Sequence, residues 1–147
     1  MDEQLPISRA YVAVAAAWAV AQSIKVIRNV IRRRRFNVRW ITDTGGMPSS
    51  HSAGTAAVAT VVGIYAGVNS VVFLLALVFA LVTMFDAASV RRSVGRQAVL
   101  LNRMLDEIYA QGKFSEQYLR EFLGHTPVEV IVGAILGISV SFLICHW

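Results

Sequence analysis

Hydrophobic and charged positions fall into long separate blocks along this chain. An uncharged stretch, Ala10–Ile24, leads into Lys25, Arg28 and Arg32; there is no Asp, Glu, Lys or Arg from Ser52 to Phe85, and none from Val130 to Trp147. Such runs suit helices crossing a hydrocarbon core roughly 30 Å thick, which takes about 20 residues each. The Ser52–Phe85 run is too long for one crossing, and the turn-forming cluster Gly67-Val68-Asn69-Ser70 divides it. The pattern therefore predicts an all-α integral membrane bundle, a single domain over 1–147. Its spans, about four in number, fall near 10–31, 50–66, 71–86 and 127–146. Between the last two spans, Arg91, Arg92, Arg96 and Arg103 alternate with Val94, Leu101, Leu105 and Ile108 at partly helical spacing. This predicts an amphipathic interfacial segment over about 87–123.

Composition supports lipid as the solvent. Of 147 residues, 56% are hydrophobic and 16% charged, against roughly 25% charged in soluble domains. The net charge of +5 does not indicate a nucleic-acid partner, because the basic residues flank apolar runs instead of spreading over a soluble face. They also fix an expected orientation. Arg32 to Arg35 and Arg39 lie in the first connection, and Arg91, Arg92, Arg96, Arg103, Lys113 and Arg120 lie in the third; both fall on one side of a four-span chain. By the positive-inside rule that side is cytoplasmic, or stromal or matrix in an organelle, with both termini opposite.

The polar clusters fall on the same side. Lys25, Asn29 and Arg32 recur at i, i+4 and i+7, with Arg28 at i+3, so they share a helix face. Cations at the end of a span either snorkel to water or hold an anion, and the spacing allows both. In Gly45-Gly46-Met47-Pro48-Ser49-Ser50-His51-Ser52, Ser49 or Ser50 suits the N-cap of the second span. A helix start favours an anion, and His51 in its first turn is placed to donate a proton. Asp86, at the end of an apolar span, requires a partner, whether in a structural ion pair or in positioning an arginine. In His125-Thr126-Pro127-Val128-Glu129, Thr126 and Glu129 read as a capping box with proline at the first helical position. The alternative sets Glu129 against one nitrogen of His125 and leaves the other to attack phosphorus.

These runs carry a family resemblance. Pro48-Ser49-Ser50-His51 looks like the PSGH motif of PAP2 phosphatases. His125-Thr126-Pro127-Val128-Glu129 resembles that family's HxPxD stretch, and Lys25 with Arg32 its first motif. The run Gly45–Ala53, with Asp86-Ala87-Ala88, Arg91-Arg92, Leu101-Asn102 and Leu123–Pro127, is more closely similar to the divergent PAP2 branch, related to acid phosphatases and vanadium-dependent haloperoxidases. The chain departs from the wider pattern in several places, among them Glu129 where HxPxD ends in aspartate. Arg33 stands where proline is expected, Ser50 replaces the glycine of PSGH, and the third motif lacks its serine-arginine pair, so Arg91 or Arg92 would take that arginine's place.

The resemblance implies phosphomonoester hydrolysis without a metal or other cofactor. His125 would be the nucleophile, Glu129 would orient it, and His51 would be the general acid. Lys25, Arg32, Ser49, Ser50 and Arg91 or Arg92 would hold the phosphate, with Asp86 in a positioning role. The partners expected are a phosphorylated lipid or isoprenoid substrate and the surrounding membrane lipid. A non-catalytic protein that binds phosphorylated headgroups is the alternative. Small residues such as Gly133 and Gly137 suit close helix packing within one chain or in a homo-oligomer.

Overall fold

A computed structural model describes residues 6–41, 46–109 and 125–147, among which every regular element is helical. These are α1 (Ile7–Arg33), a short 3-10 turn (Val38–Ile41), α2 (Ser50–Ala66), α3 (Val71–Ala88), α4 (Val90–Tyr109) and α5 (Pro127–His146). Local chemistry sets the starts. Ser49 Oγ accepts from Ser52 N at 3.3 Å to cap α2, and Ser70 Oγ accepts from Phe73 N at 3.1 Å to cap α3. Thr126 and Glu129 form the reciprocal box that opens α5, with Pro127 inside it. Gly67, at φ +81°, ends α2 in a conformation that glycine adopts without a Cβ penalty.

Among the described residues, three stretches are long and apolar enough to cross a membrane: Ile7–Arg33, Val71–Asp106 and Pro127–His146. α2 is shorter, with 17 residues, roughly 25 Å at the helical rise. It packs against α1, α3 and α5 alike, and α1 also packs on α5. Lipid gives little hydrophobic drive for helices to associate, so contact depends on close backbone approach. The inward stripes supply it. Ala13, Ala17 and Ala21 are fully buried on α1, and Val130, Gly133, Gly137, Ser141 and Cys145 are buried on α5. Gly133 lies against the Ser49 carbonyl and Gly137 against the Ala53 backbone, too close for a Cβ. Outward, α3 exposes Leu74, Leu75, Val78, Phe79, Leu81 and Val82, a face that lipid and not water would cover.

The bundle has two distinct ends. Tyr65 Oη donates to Pro6 O at 2.9 Å, and Ala13, Val61 and Cys145 pack together. The start of α1 and the ends of α2 and α5 therefore share one end. At the other, Arg28 Nη1 donates to Met47 O at 3.1 Å, and His125 N donates to Ala87 O at 3.1 Å. These bonds collect the end of α1, the start of α2, the end of α3 and the start of α5. α4 follows α3 after Ser89 alone, and among the described residues it packs only on α3. The remainder of the expected amphipathic segment, residues 110–123, lies outside the described residues.

Candidate functional site

The buried stripe of α1 continues from Ala13, Ala17 and Ala21 to Lys25, so the packing that joins the helices also turns this lysine inward. Lys25 is only 1% exposed; of the two readings open for the cationic face, snorkelling does not apply to it. A buried ammonium loses hydration worth several kcal/mol, and hydrogen bonds must offset that loss. Lys25 Nζ donates to Gln22 Oε1 at 2.9 Å and to Ser50 Oγ at 3.3 Å. Gly46, at φ +94°, passes over the lysine stem, and a Cβ there would lie 3.6 Å from Lys25 Cγ.

Beside Lys25 opens a cavity of about 400 Å³, lined by Lys25, Arg28, Asn29, Ile31 and Arg32 of α1, by Gly46 and Met47, and by Thr126 and Glu129. Three cationic side chains thus face one carboxylate around this space. Such a balance favours an anion bearing two or more charges over a neutral ligand.

The start of α2 is locked onto α5. Ser49 N donates to Glu129 O at 3.0 Å, and Ser49 Oγ accepts from Ser52 N and from Ser52 Oγ, the latter at 3.0 Å. Ser49 is fully buried. Its N–H and hydroxyl are committed to this joint, whereas Ser50 faces Lys25. The joint brings the His51 and His125 rings to 6.4 Å between centroids, tilted by 60°. His125 is 1% exposed. Neither imidazole is part of the cavity wall; Glu129, which is, connects the wall to His125.

Glu129 makes both contacts that its spacing allowed. Oε2 accepts from Thr126 N at 2.9 Å and lies 3.4 Å from His125 Nδ1. The first is a short charge-assisted bond and the second is long, so the cap anchors the carboxylate and the imidazole takes its bearing from it. Asp86 lies in the last turn of α3, one residue before the carbonyl that holds His125 N. Arg91 and Arg92 fall in the first turn of α4, with side chains outside the described part of the structure.

Two contributors go beyond the phosphate ligands that the motifs name. Arg28, which shares the cationic face of α1, lines the cavity and ties α1 to the Met47 carbonyl. Gln22 is a buried amide whose Nε2 donates to Trp40 O at 3.2 Å while its Oε1 accepts from Lys25. The available signal for Gln22 was an amide inside an apolar run, one helical turn before a lysine.

A helical membrane bundle with a cationic cavity and two facing histidines at one end is the class that fold and site define. The sequence profile of the Divergent PAP2 family matches residues 8–140. The chain is also 38% identical over 143 residues to the Bacillus subtilis (strain 168) protein called "Uncharacterized membrane protein YuiD", covering 90% of each. No solved structure matches significantly. The chain is a membrane protein that belongs to the divergent PAP2 family.

Proposed function

We propose that this protein is a membrane-embedded, metal-independent phosphatase acting on a lipid or isoprenoid phosphate through a phosphohistidine at His125. The observation that carries the reading is the approach of His51 to His125 beside a cavity into which Lys25 is turned. Lys25, Arg28 and Arg32 hold the phosphate oxygens with Ser50, and Asp86 positions Arg91 or Arg92 as a further ligand. Such a cationic cradle supplies much of the stabilisation that phosphoryl transfer needs. A proton on Nδ1 directed at Glu129 leaves the lone pair of His125 on Nε2, which attacks phosphorus. The ester P–O bond breaks, and His51 protonates the leaving alcohol. Water then attacks the phosphohistidine with His51 as base, releasing phosphate and restoring both imidazoles. A site at the end of the bundle meets a headgroup while the acyl or prenyl chain stays in lipid. The arginine-rich end that carries it faces the cytoplasm, or the stroma or matrix.

One observation favours a second reading: the cavity wall contains the cations but neither histidine. This would suit a protein that binds phosphorylated headgroups without turnover. Purified protein in detergent separates the two. The phosphatase reading expects phosphate release from phosphatidate or a prenyl phosphate, insensitive to chelator, blocked by vanadate and lost in His125→Ala. Headgroup binding that is equal in wild type and His125→Ala, with no release from either, would establish the binding protein instead.

A further inference from the structure

Gln22 is a buried polar residue that the phosphatase chemistry leaves unused, and it bonds in opposite senses on its two sides. A side-chain amide has one accepting oxygen and one donating nitrogen, and an ammonium can only donate. The Lys25 Nζ bond of 2.9 Å therefore fixes Oε1 toward the lysine, and Nε2 is left to donate to Trp40 O at 3.2 Å. The receiving carbonyl is itself anchored. Trp40 N donates to Asn37 O at 3.0 Å, and the Arg33 guanidinium sits 5.7 Å from the Trp40 ring centroid. One continuous path thus leads from the first connection through Gln22 and Lys25 to Ser50, the residue before His51.

From this geometry we infer that Gln22 is a positioning residue: it holds the Lys25 ammonium at the cavity and thereby sets the affinity for the phosphate group. The inference rests on the phosphate site proposed above. A lysine ammonium sits on a flexible four-carbon stem with rotatable donors, so it needs an outside partner to point it at one place. Ser50 Oγ lies 3.3 Å from Nζ and Gln22 Oε1 only 2.9 Å, which makes Gln22 the nearer restraint. A glutamine retained only to satisfy itself would need acceptors and donors of any kind. Gln22 instead accepts from a cation that lines the cavity.

A double-mutant cycle on the full-length protein in detergent tests this, with binding of inorganic phosphate and inhibition by vanadate as readouts. Gln22→Leu should weaken phosphate binding about tenfold, the scale of one hydrogen bond to a charged group. Gln22→Leu added to Lys25→Met should cost nothing further, because the group it positions is gone. Thermal melting monitors folding. If Gln22→Leu does not fold, Gln22→Met, of similar length and lacking both amide groups, replaces it. Equal losses from Gln22→Leu with and without Lys25 would mean a general packing role and overturn the inference. So would unchanged phosphate binding in Gln22→Leu while Lys25→Met is weakened, and in both cases the phosphate site itself would stand. Phosphate binding by Lys25→Met equal to wild type would remove the site and the inference together.

Discussion

The ring centroids of His51 and His125 lie 6.4 Å apart, although one residue is in the first turn of α2 and the other immediately precedes the cap of α5. The relationship is enforced by the backbone. Ser49 N bonds Glu129 O, and Gly133 and Gly137 let α5 approach α2 without intervening side chains. Two helix starts that run in the same direction are thereby set side by side, with their N–H groups and a histidine each at one end of the bundle.

The different tasks proposed for the two histidines predict different dependence on the leaving group. General-acid help contributes about 100-fold to 10,000-fold when the departing oxygen is basic, as in an alkyl or prenyl phosphate. It is hardly needed for nitrophenolate. His51→Ala should therefore lose prenyl-phosphate turnover by at least about 100-fold yet keep most of its rate of phosphoenzyme formation from p-nitrophenyl phosphate. His125→Ala should lose both. Acid-labile label on the protein, measured after a brief exposure to radiolabelled substrate, checks the split; equal defects on both substrates in His51→Ala would refute its role as proton donor.

Glu129 offers a separation of cap from catalysis. Glutamine also serves in the third position of a capping box, so Glu129→Gln should keep α5 started and leave the melting temperature in detergent near wild type. It removes the charge that faces His125 Nδ1, and turnover should fall at least about tenfold. Thr126→Ala acts in the opposite sense. It takes away the acceptor for Glu129 N and should cost about 1 kcal/mol of stability, with a smaller effect on rate than Glu129→Gln. A Glu129→Gln protein as active as wild type would confine this residue to capping.

The all-helical bundle was legible because uncharged runs of this length leave few alternatives, and the turn at Gly67–Ser70 is written in residues that end helices. The serine cap of α2 and the threonine box of α5 were readable for the same local reason. What the chain could not disclose alone depends on other helices. Whether Lys25 snorkels or turns inward is decided by α2 and by Gly46, which covers its stem. Whether Glu129 caps or orients is not a choice that spacing can make, since Thr126 at i−3 and His125 at i−4 are both within its reach. Gln22 reads as a tolerated amide until Trp40, from a separate turn, is seen to accept from it.

The glycines of α5 predict a stability pattern that hydropathy would not. A Cβ on Gly137 would overlap the Ala53 backbone, and one on Gly133 the Ser49 carbonyl. Either alanine variant should melt earlier in detergent, with a cost of about 1–3 kcal/mol for overpacking. Gly133→Ala should also impair the site, because Ser49 leads directly into Ser50 and His51. Gly54 is the internal control. A Cβ there would approach only Trp18 Cδ1, at 4.0 Å, so Gly54→Ala should stay within about 1 kcal/mol of wild type. Equal tolerance at all three positions would contradict the α2–α5 packing.

The direction of the bundle in the membrane decides from which side a substrate is reached. The site end holds Arg32 in the cavity wall and Arg33, Arg34 and Arg35 directly after it, while the other end has, of lysine and arginine, Arg9 near the start of α1. Lysine and arginine in short connections are retained on the cytoplasmic side during insertion, so both termini and the Gly67–Ser70 turn should lie outside. Single cysteines in a Cys145→Ala background report this directly. Asn69→Cys should react with an impermeant maleimide in intact cells, and Arg34→Cys only after permeabilisation. Both positions are exposed in the fold, so access depends on the membrane alone. Labelling of Arg34→Cys in intact cells, with Asn69→Cys protected, would place the phosphate site on the outer face.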